Sequence, residues 1–252
     1  MDRRAVDRRA RTAARAGAPS AVPPRRPDCP WCGSGRLRPA AGPAGGVPFE
    51  ECARCGHVFQ NPRPRPRPSD GEGPLARRLA AHLHRSAARA LLPLPEPESW
   101  LDVGTGEGRF PAAAREFFPY TSFDGLDTRL DVLRAQAAGR VEEAHVGRVT
   151  DPPVAARLRA RYDVVSMLHH LESAPDPRAE LHAALTLLRP GGHLLLHVTG
   201  PRGATSWPGP ARPHLLPRRN VEAELHAAGC PPVTTRTRPY LPTGYRLLAR
   251  RS

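Results

Sequence analysis

The sequence contains no lysine, so all 38 basic side chains are arginine. Set beside the abundance of Ala, Pro and Gly, this reads as the codon bias of a G+C-rich gene rather than selection for phosphate contacts. No apolar run approaches the ~18–20 residues that a membrane-spanning helix needs. The Arg-rich start lacks the apolar stretch of a secretory signal, so the expected location is the cytoplasm. Aromatic residues make up only 5% of the chain and methionines number two. Cysteines number five. Without export signals they point to metal ligands or buried thiols rather than disulfides.

With 252 residues, the chain exceeds a single small module and holds one to two domains. The formal charge of +14 is unevenly spread, because residues 1–70 hold 14 arginines against 6 acidic residues and so carry +8 of it. A basic patch is the footprint of a nucleic-acid partner, but here the excess lies in segments that read as tails and linkers. Residues 1–27 alternate Arg with Ala and Pro, have too few large apolar side chains to offset ordering entropy, and read as a disordered leader. Residues 62–74, PRPRPRPSDGEGP, read as a stiff polyproline-type spacer ending in a turn.

Between these lie Cys29, Cys32, Cys52 and Cys55, two C-x-x-C knuckles nineteen residues apart. Each knuckle can present two thiolates at about 2.3 Å to one tetrahedral zinc. A set of four sulfurs leaves no open coordination position, so residues 28–61 read as a zinc ribbon whose Zn2+ is structural. His57 lies beside a knuckle and is not needed as a ligand.

From Leu75 to the C-terminus, helix-period and strand-like segments alternate. Leu75, Leu79, Leu83 and Leu91 mark one helical face, SWLDVG a buried strand, and FPAAAREFF a helix with Pro111 in its first turn. TSFDGLD, YDVVSML and HLLLHVT are further strands, and Asp176-Pro177 opens a helix. Asn220 stands where it could cap a last helix before two closing strands. The alternation implies an α/β fold with a doubly wound sheet.

Within WLDVGTGEGRF, a strand runs into Gly104, Gly106 and Gly108 and then a helix, a turn that lets a ligand lie against bare backbone and helix N–H groups. The spacing is G-x-G-x-G. Arg109 takes the third glycine's place in the dinucleotide fingerprint, which speaks against NAD or FAD. Asp127 ends the next strand, nineteen residues past Gly108. Alone it would read as a helix cap; in register with the glycine turn, it reads as a carboxylate for the ribose hydroxyls of an adenosine-containing cofactor.

With these segments in order, and with YDVVSMLHHLESAPDP and LLRPGGHLLLHV after them, residues 75–252 resemble a class I S-adenosylmethionine-dependent methyltransferase. The resemblance implies a Rossmann-like seven-stranded sheet whose last strand is antiparallel. It also implies that Asp102 and the glycine loop hold the methionine end of S-adenosyl-L-methionine, Asp127 the ribose, and Met167 and Leu168 the pocket wall. Relatives often read L-E-H before the Asp-Pro pair; here Glu172 and Ser173 stand there, and His169 and His170 lie out of register. These four are the catalytic candidates, with His169 or His170 able to act as base. Arg148 replaces an acid that relatives commonly place near the adenine amine, and Asp151 is displaced from it.

The run CARCGHVFQNPRP is similar to the ribbon leader of bacterial small-molecule methyltransferases, which implies a small-molecule acceptor, such as a specialised metabolite, and no membrane partner. A ribosomal or transfer RNA methyltransferase that grips RNA through its ribbon is the alternative. Adenine amino methylation fits poorly, since SMLH stands where the D/N/S-P-P-aromatic motif belongs and DPPV (151–154) follows the wrong strand. Cys230, after a C-terminal helix, reads as a buried apolar residue rather than a nucleophile. A non-catalytic cofactor-binding or docking protein is the third reading. His214, before the last helix, resembles a lid histidine that would face the acceptor.

Overall fold

A computed structural model of the chain describes residues 24–41, 48–63, 73–201, 213–237 and 244–252. Most of the expected leader and spacer lies outside the described residues. In chain order the elements are β1 (Leu37–Ala40), β2 (Phe49–Cys52), β3 (Val58–Gln60), α1 (Pro74–Ala88), β4 (Ser99–Val103), α2 (Arg109–Ala114), β5 (Ser122–Asp127) and α3 (Asp131–Ala137). There follow β6 (Ala144–Val146), α4 (Pro152–Leu158), β7 (Tyr162–Leu168), α5 (Pro177–Leu187), β8 (Leu188–Thr199), β9 (His214–Leu215), α6 (Arg218–Ala227), β10 (Pro232–Thr237) and β11 (Gly244–Arg250).

Seven strands form one sheet in the order β10-β11-β8-β7-β4-β5-β6. Strands β4 to β8 pair in parallel, and β11 runs antiparallel to both β8 and β10. The expected α/β doubly wound sheet with its antiparallel closing strand is therefore present. Its strands are apolar on both faces. Leu101, Val103, Leu126, Val165 and Met167 pack with α4 and α5, while Trp100, Phe123, Val164 and Leu195 pack with Phe110, Ala114 and the end of α1. Strand order reverses at β4 and β7, and the C-terminal ends of strands at such a switch point form the ligand crevice of open α/β sheets.

Local signals hold where the chemistry is local. The Asp176 carboxylate accepts from the N–H groups of Arg178 and Ala179 at 3.1 and 2.9 Å, capping α5 as its position suggested. Only the C-terminal half of α1 reaches the core: Leu83 is buried and Leu91 follows it, but Leu75 is 81% exposed. Asn220 does not cap α6. Pro217 holds the N-cap position, and the Asn220 amide, inside the helix, donates to the Cys55 carbonyl at 3.1 Å.

A second, antiparallel sheet has the order β1-β2-β3-β9. Its first three strands come from the cysteine segment, but β9 comes from between β8 and α6, pairing Val58 with Leu215 and Phe59 with His214. Buried Cys29, Trp31, Cys52 and Phe59 join the same apolar cluster as Leu181, Leu216 and Val221. Burying a side chain such as Phe59 contributes about 1.5–3 kcal/mol, so this packing fixes the ribbon against the end of the large sheet.

Candidate active site

The glycine turn lies at the end of β4. Gly104 has φ of +81°, and a Cβ there would come within 2.7 Å of His170 Nδ1. Glycine is thus required twice, for backbone freedom and for close approach. Asp102 is buried just before the turn. Its β7 partner in register is Ser166. Buried Trp100 donates from Nε1 to Ser166 Oγ at 2.9 Å, and Ser166 donates on to Asp102 Oδ1 at 2.6 Å. Burial pushes the Asp102 carboxyl up to about 7, against the hydrogen bonds from Ser166 and Thr105, which favour its charged form.

Asp127 ties the turn to the β5 exit. One carboxylate oxygen accepts from Gly106 N at 2.8 Å and the other from Arg129 N at 2.9 Å. Each oxygen has a second acceptor position for a ribose hydroxyl. Gly108 adopts φ of +72° at the start of α2. Met167 is fully buried in the core beneath the crevice, while Leu168 is partly exposed. Arg148 N donates to the Asp151 carboxylate at 2.7 Å and Asp151 N to the Arg148 carbonyl at 3.1 Å, so Asp151 closes a turn and holds the N-cap position of α4. Together, the buried acid beside a bare backbone turn, the N-terminus of α2 and the strand-end carboxylate suit the ammonium, carboxylate and ribose of S-adenosylmethionine.

The four catalytic candidates share the turn that leaves β7, but their contacts differ. His169 has a left-handed backbone, φ +59°, held by a hydrogen bond from its N–H to the His197 carbonyl at 2.8 Å. Its Nδ1 lies 2.9 Å from Glu172 Oε1, and its ring lies 4.1 Å from that of His197. Glu172 is fully buried and also accepts from Thr199 N at 2.8 Å. His170 turns the other way, against Gly104, with Nε2 at 3.2 Å from Glu180. Ser173 Oγ donates back to the His170 carbonyl at 2.9 Å and so closes the turn. Ser166, Thr199, His197 and Glu180 were not foreseen, because each acts through strand register or across at least ten residues.

The four cysteines converge. Cys29 and Cys55 sulfurs are 3.7 Å apart, those of Cys32 and Cys52 3.6 Å, and all four lie within 4.8 Å of one another. Four sulfurs about 2.3 Å from one tetrahedral centre would stand about 3.8 Å apart, so the set fits a single metal ion. His57 Nδ1 lies 3.6 Å from Cys29 Sγ, and His57 Nε2 lies 3.2 Å from His214 Nδ1. Burial holds both imidazoles neutral, His57 well below its usual range and His214 down to about 3. His214 is 4% exposed rather than part of an open loop, and its backbone N–H donates to the Glu172 carbonyl at 3.1 Å. Cys230 is buried, as expected.

Asp124, Glu143 and His145 also approach one another. Arg157 lies 3.2 Å from His145 Nδ1. A guanidinium can only donate, so Nδ1 accepts and the proton sits on Nε2. This trio consequently offers no imidazole lone pair to a metal.

A profile of the methyltransferase domain family matches residues 75–235. The ubiquinone biosynthesis O-methyltransferase of Alkalilimnicola ehrlichii is 30% identical over 146 residues, covering 50% of this chain and 59% of that protein. The corresponding Cronobacter sakazakii protein is 36% identical over 108 residues, 42% of this chain and 44% of its own. The chain thus spans about half the length of the curated relatives it matches. Among solved structures, a 1,6-didemethyltoxoflavin-N1-methyltransferase of Burkholderia thailandensis with bound S-adenosylhomocysteine has a TM-score of 0.50 at 20% identity, covering 79% of this chain and 97% of that one. No helix among the described residues is long and apolar enough to cross a membrane. By its family match and by the order of its seven-stranded sheet, the chain belongs to the methyltransferase domain family, with the class I S-adenosylmethionine-dependent fold.

Proposed function

We propose that this chain transfers a methyl group from S-adenosylmethionine to a small-molecule acceptor. One observation carries the reading: the turn that presents the carboxylate-bound His169 also packs, through His170, against the glycine loop. An oriented histidine thereby stands one residue from the wall of the cofactor crevice. Bound S-adenosylmethionine supplies a sulfonium methyl; the acceptor's electron pair forms the new bond to carbon as the S–C pair returns to sulfur.

Asp102 faces the methionine end and Asp127 the ribose. Leu168 lines the crevice, and Met167 supports it from below. Glu172 fixes the His169 tautomer by accepting from Nδ1–H, which makes Nε2 the nitrogen to take the acceptor's proton. His170 with Glu180 serves as wall, and Ser173 as the turn's closure. Much of the rate in such a displacement comes from alignment and exclusion of water, so a base matters only for a nucleophile that carries its proton into the reaction.

Cys29, Cys32, Cys52 and Cys55 hold zinc in this reading, as a structural ion with four thiolates. Within residues 28–61, Arg38 pairs with Glu51, and in the leader just before them Arg25 pairs with Glu50 and Arg26 with Asp28. The [4+2]-cyclase SpnF shares the fold, with a TM-score of 0.58 at 16% identity over 69% of this chain and 82% of its own, so turnover has to be measured. The test is incubation with S-adenosylmethionine and a panel of phenols, hydroxy acids and amines, read by mass spectrometry. Acceptor-dependent S-adenosylhomocysteine is expected; tight cofactor binding without turnover across the panel would favour a non-catalytic role.

A further inference from the structure

We infer that the ribbon is a positioning element of the reaction: Arg63 and the His214 backbone clamp the turn at residues 172–174 and so hold Glu172, and through it His169, in place. The inference rests on the methyltransferase reading and names what sets its histidine base. Residues 169–176 lie between β7 and α5 and belong to neither a helix nor a strand. Within the turn, Ser173 N donates to the His170 carbonyl at 3.0 Å and Ala174 N to the Leu171 carbonyl at 3.3 Å. The next three carbonyls, those of Glu172, Ser173 and Ala174, accept from outside it. His214 N donates to the Glu172 carbonyl at 3.1 Å, Arg63 Nη1 to the Ala174 carbonyl at 3.0 Å, and Arg63 Nη2 to the Ser173 carbonyl. The two Arg63 nitrogens belong to one planar fork, so a single guanidinium fixes two consecutive peptide units.

Both halves of the clamp are rooted in the cysteine segment. The peptide unit between Pro213 and His214 bridges ribbon and turn: its carbonyl accepts from Gln60 N, at the end of β3, at 2.8 Å, and its N–H donates to Glu172. Arg63 follows closely on buried Asn61, whose N–H donates to the Pro48 carbonyl at 2.9 Å and whose side-chain oxygen accepts from Arg26 N at 2.8 Å. Cys52 and Cys55 lie in the connection between β2 and β3, so a metal ion on the four thiolates would fix the strand that carries β9 and leads to Arg63. At the other end of the clamp, buried Glu172 accepts from Thr199 N at 2.8 Å and stands 2.9 Å from His169 Nδ1. A misplacement of about 1 Å in reacting groups costs on the order of a hundredfold in rate, so the backbone beneath this carboxylate has to be held. Arg63 and His214 meet the turn through its carbonyls and act through Glu172, which makes them positioning residues.

Hydrogen exchange read by mass spectrometry on the full chain, purified with zinc, tests the clamp without cofactor or acceptor. Wild type is compared with Arg63→Gln, Arg63→Lys and the ribbon control Arg38→Gln, whose side chain pairs with Glu51. Amides of residues 169–174 should exchange about tenfold faster in Arg63→Gln, with those of β4 and α2 at the wild-type rate. Arg63→Lys, a point charge that holds one carbonyl at a time, should fall between, and Arg38→Gln should match wild type. Chelating the metal from wild type should speed the same amides, and restored zinc should slow them. In turnover, Arg63→Gln should lower kcat about ten- to a hundredfold while S-adenosylhomocysteine affinity and acceptor KM stay within about twofold, and Arg63→Lys should recover part of the loss. Wild-type exchange of the turn in Arg63→Gln, or after the metal has left, overturns the proposal. So does faster exchange spread evenly over the large sheet, which marks a general loss of stability, or an unchanged kcat with a loosened turn. Failure of S-adenosylhomocysteine to bind wild type strikes the methyltransferase reading instead, and the exchange comparison still decides whether the ribbon holds the turn.

Discussion

Replacing Asp102 with Asn should stabilise the protein above neutral pH while weakening the cofactor site. In the folded chain, burial raises the Asp102 carboxyl from its ordinary 3.8 to about 7, with Ser166 and Thr105 opposing. Between these values the native state keeps a proton that the unfolded state releases, so stability falls as pH rises from about 4 to 7. The full cost is present above pH 7. At about 1.36 kcal/mol per pH unit it has a ceiling of about 4 kcal/mol, which relaxation of the site will reduce. Asn fills nearly the same volume, can accept from Ser166 Oγ, and never ionises. Urea unfolding of the two proteins should therefore agree at pH 4 and differ by about 2–4 kcal/mol in favour of Asn at pH 8, or about 5–10 °C in Tm. Added S-adenosylhomocysteine should narrow that gap, because its ammonium would compensate the ionised carboxylate of the wild type only. A stability difference independent of pH would show that Asp102 is ionised at no cost and would refute the reasoning.

Asp127→Ala should weaken S-adenosylhomocysteine binding about ten- to a hundredfold, the equivalent of a charge-assisted contact of about 1.5–3 kcal/mol; unchanged affinity in calorimetry would remove the ribose assignment. His169→Gln should lower kcat about 10²–10⁴-fold with cofactor affinity kept, and Glu172→Gln should move the pH profile of kcat; loss of cofactor binding in both would point to a collapsed turn. Cys32→Ser should release the metal and expose the ribbon to protease. Stoichiometric metal retained in that variant would contradict the four-thiolate site.

Features set by near neighbours in sequence were legible in it: the strand and glycine turn at 100–108, the Asp176 cap, the cysteine knuckles and the Asp127 strand end. What escaped depends on strand register or on contacts between remote segments. Ser166 meets Asp102 only because β7 aligns with β4 at that residue. His214 reads as a loop histidine until β9 pairs with β3, and Asn220 reads as a cap until Cys55 comes beside it. Arg63 looks like one more residue of a Pro/Arg spacer, yet it reaches Ser173 and Ala174, about 110 residues away along the chain. For His214, Asn220 and Arg63 the shared cause is that the ribbon segment packs against the large domain, an arrangement with no local signature.

The most direct test of the central claim is calorimetric titration of the metal-loaded protein with S-adenosylhomocysteine, with NADH as control. The account predicts a single micromolar site for S-adenosylhomocysteine and none for NADH. Binding of neither, or of NADH alone, would contradict it.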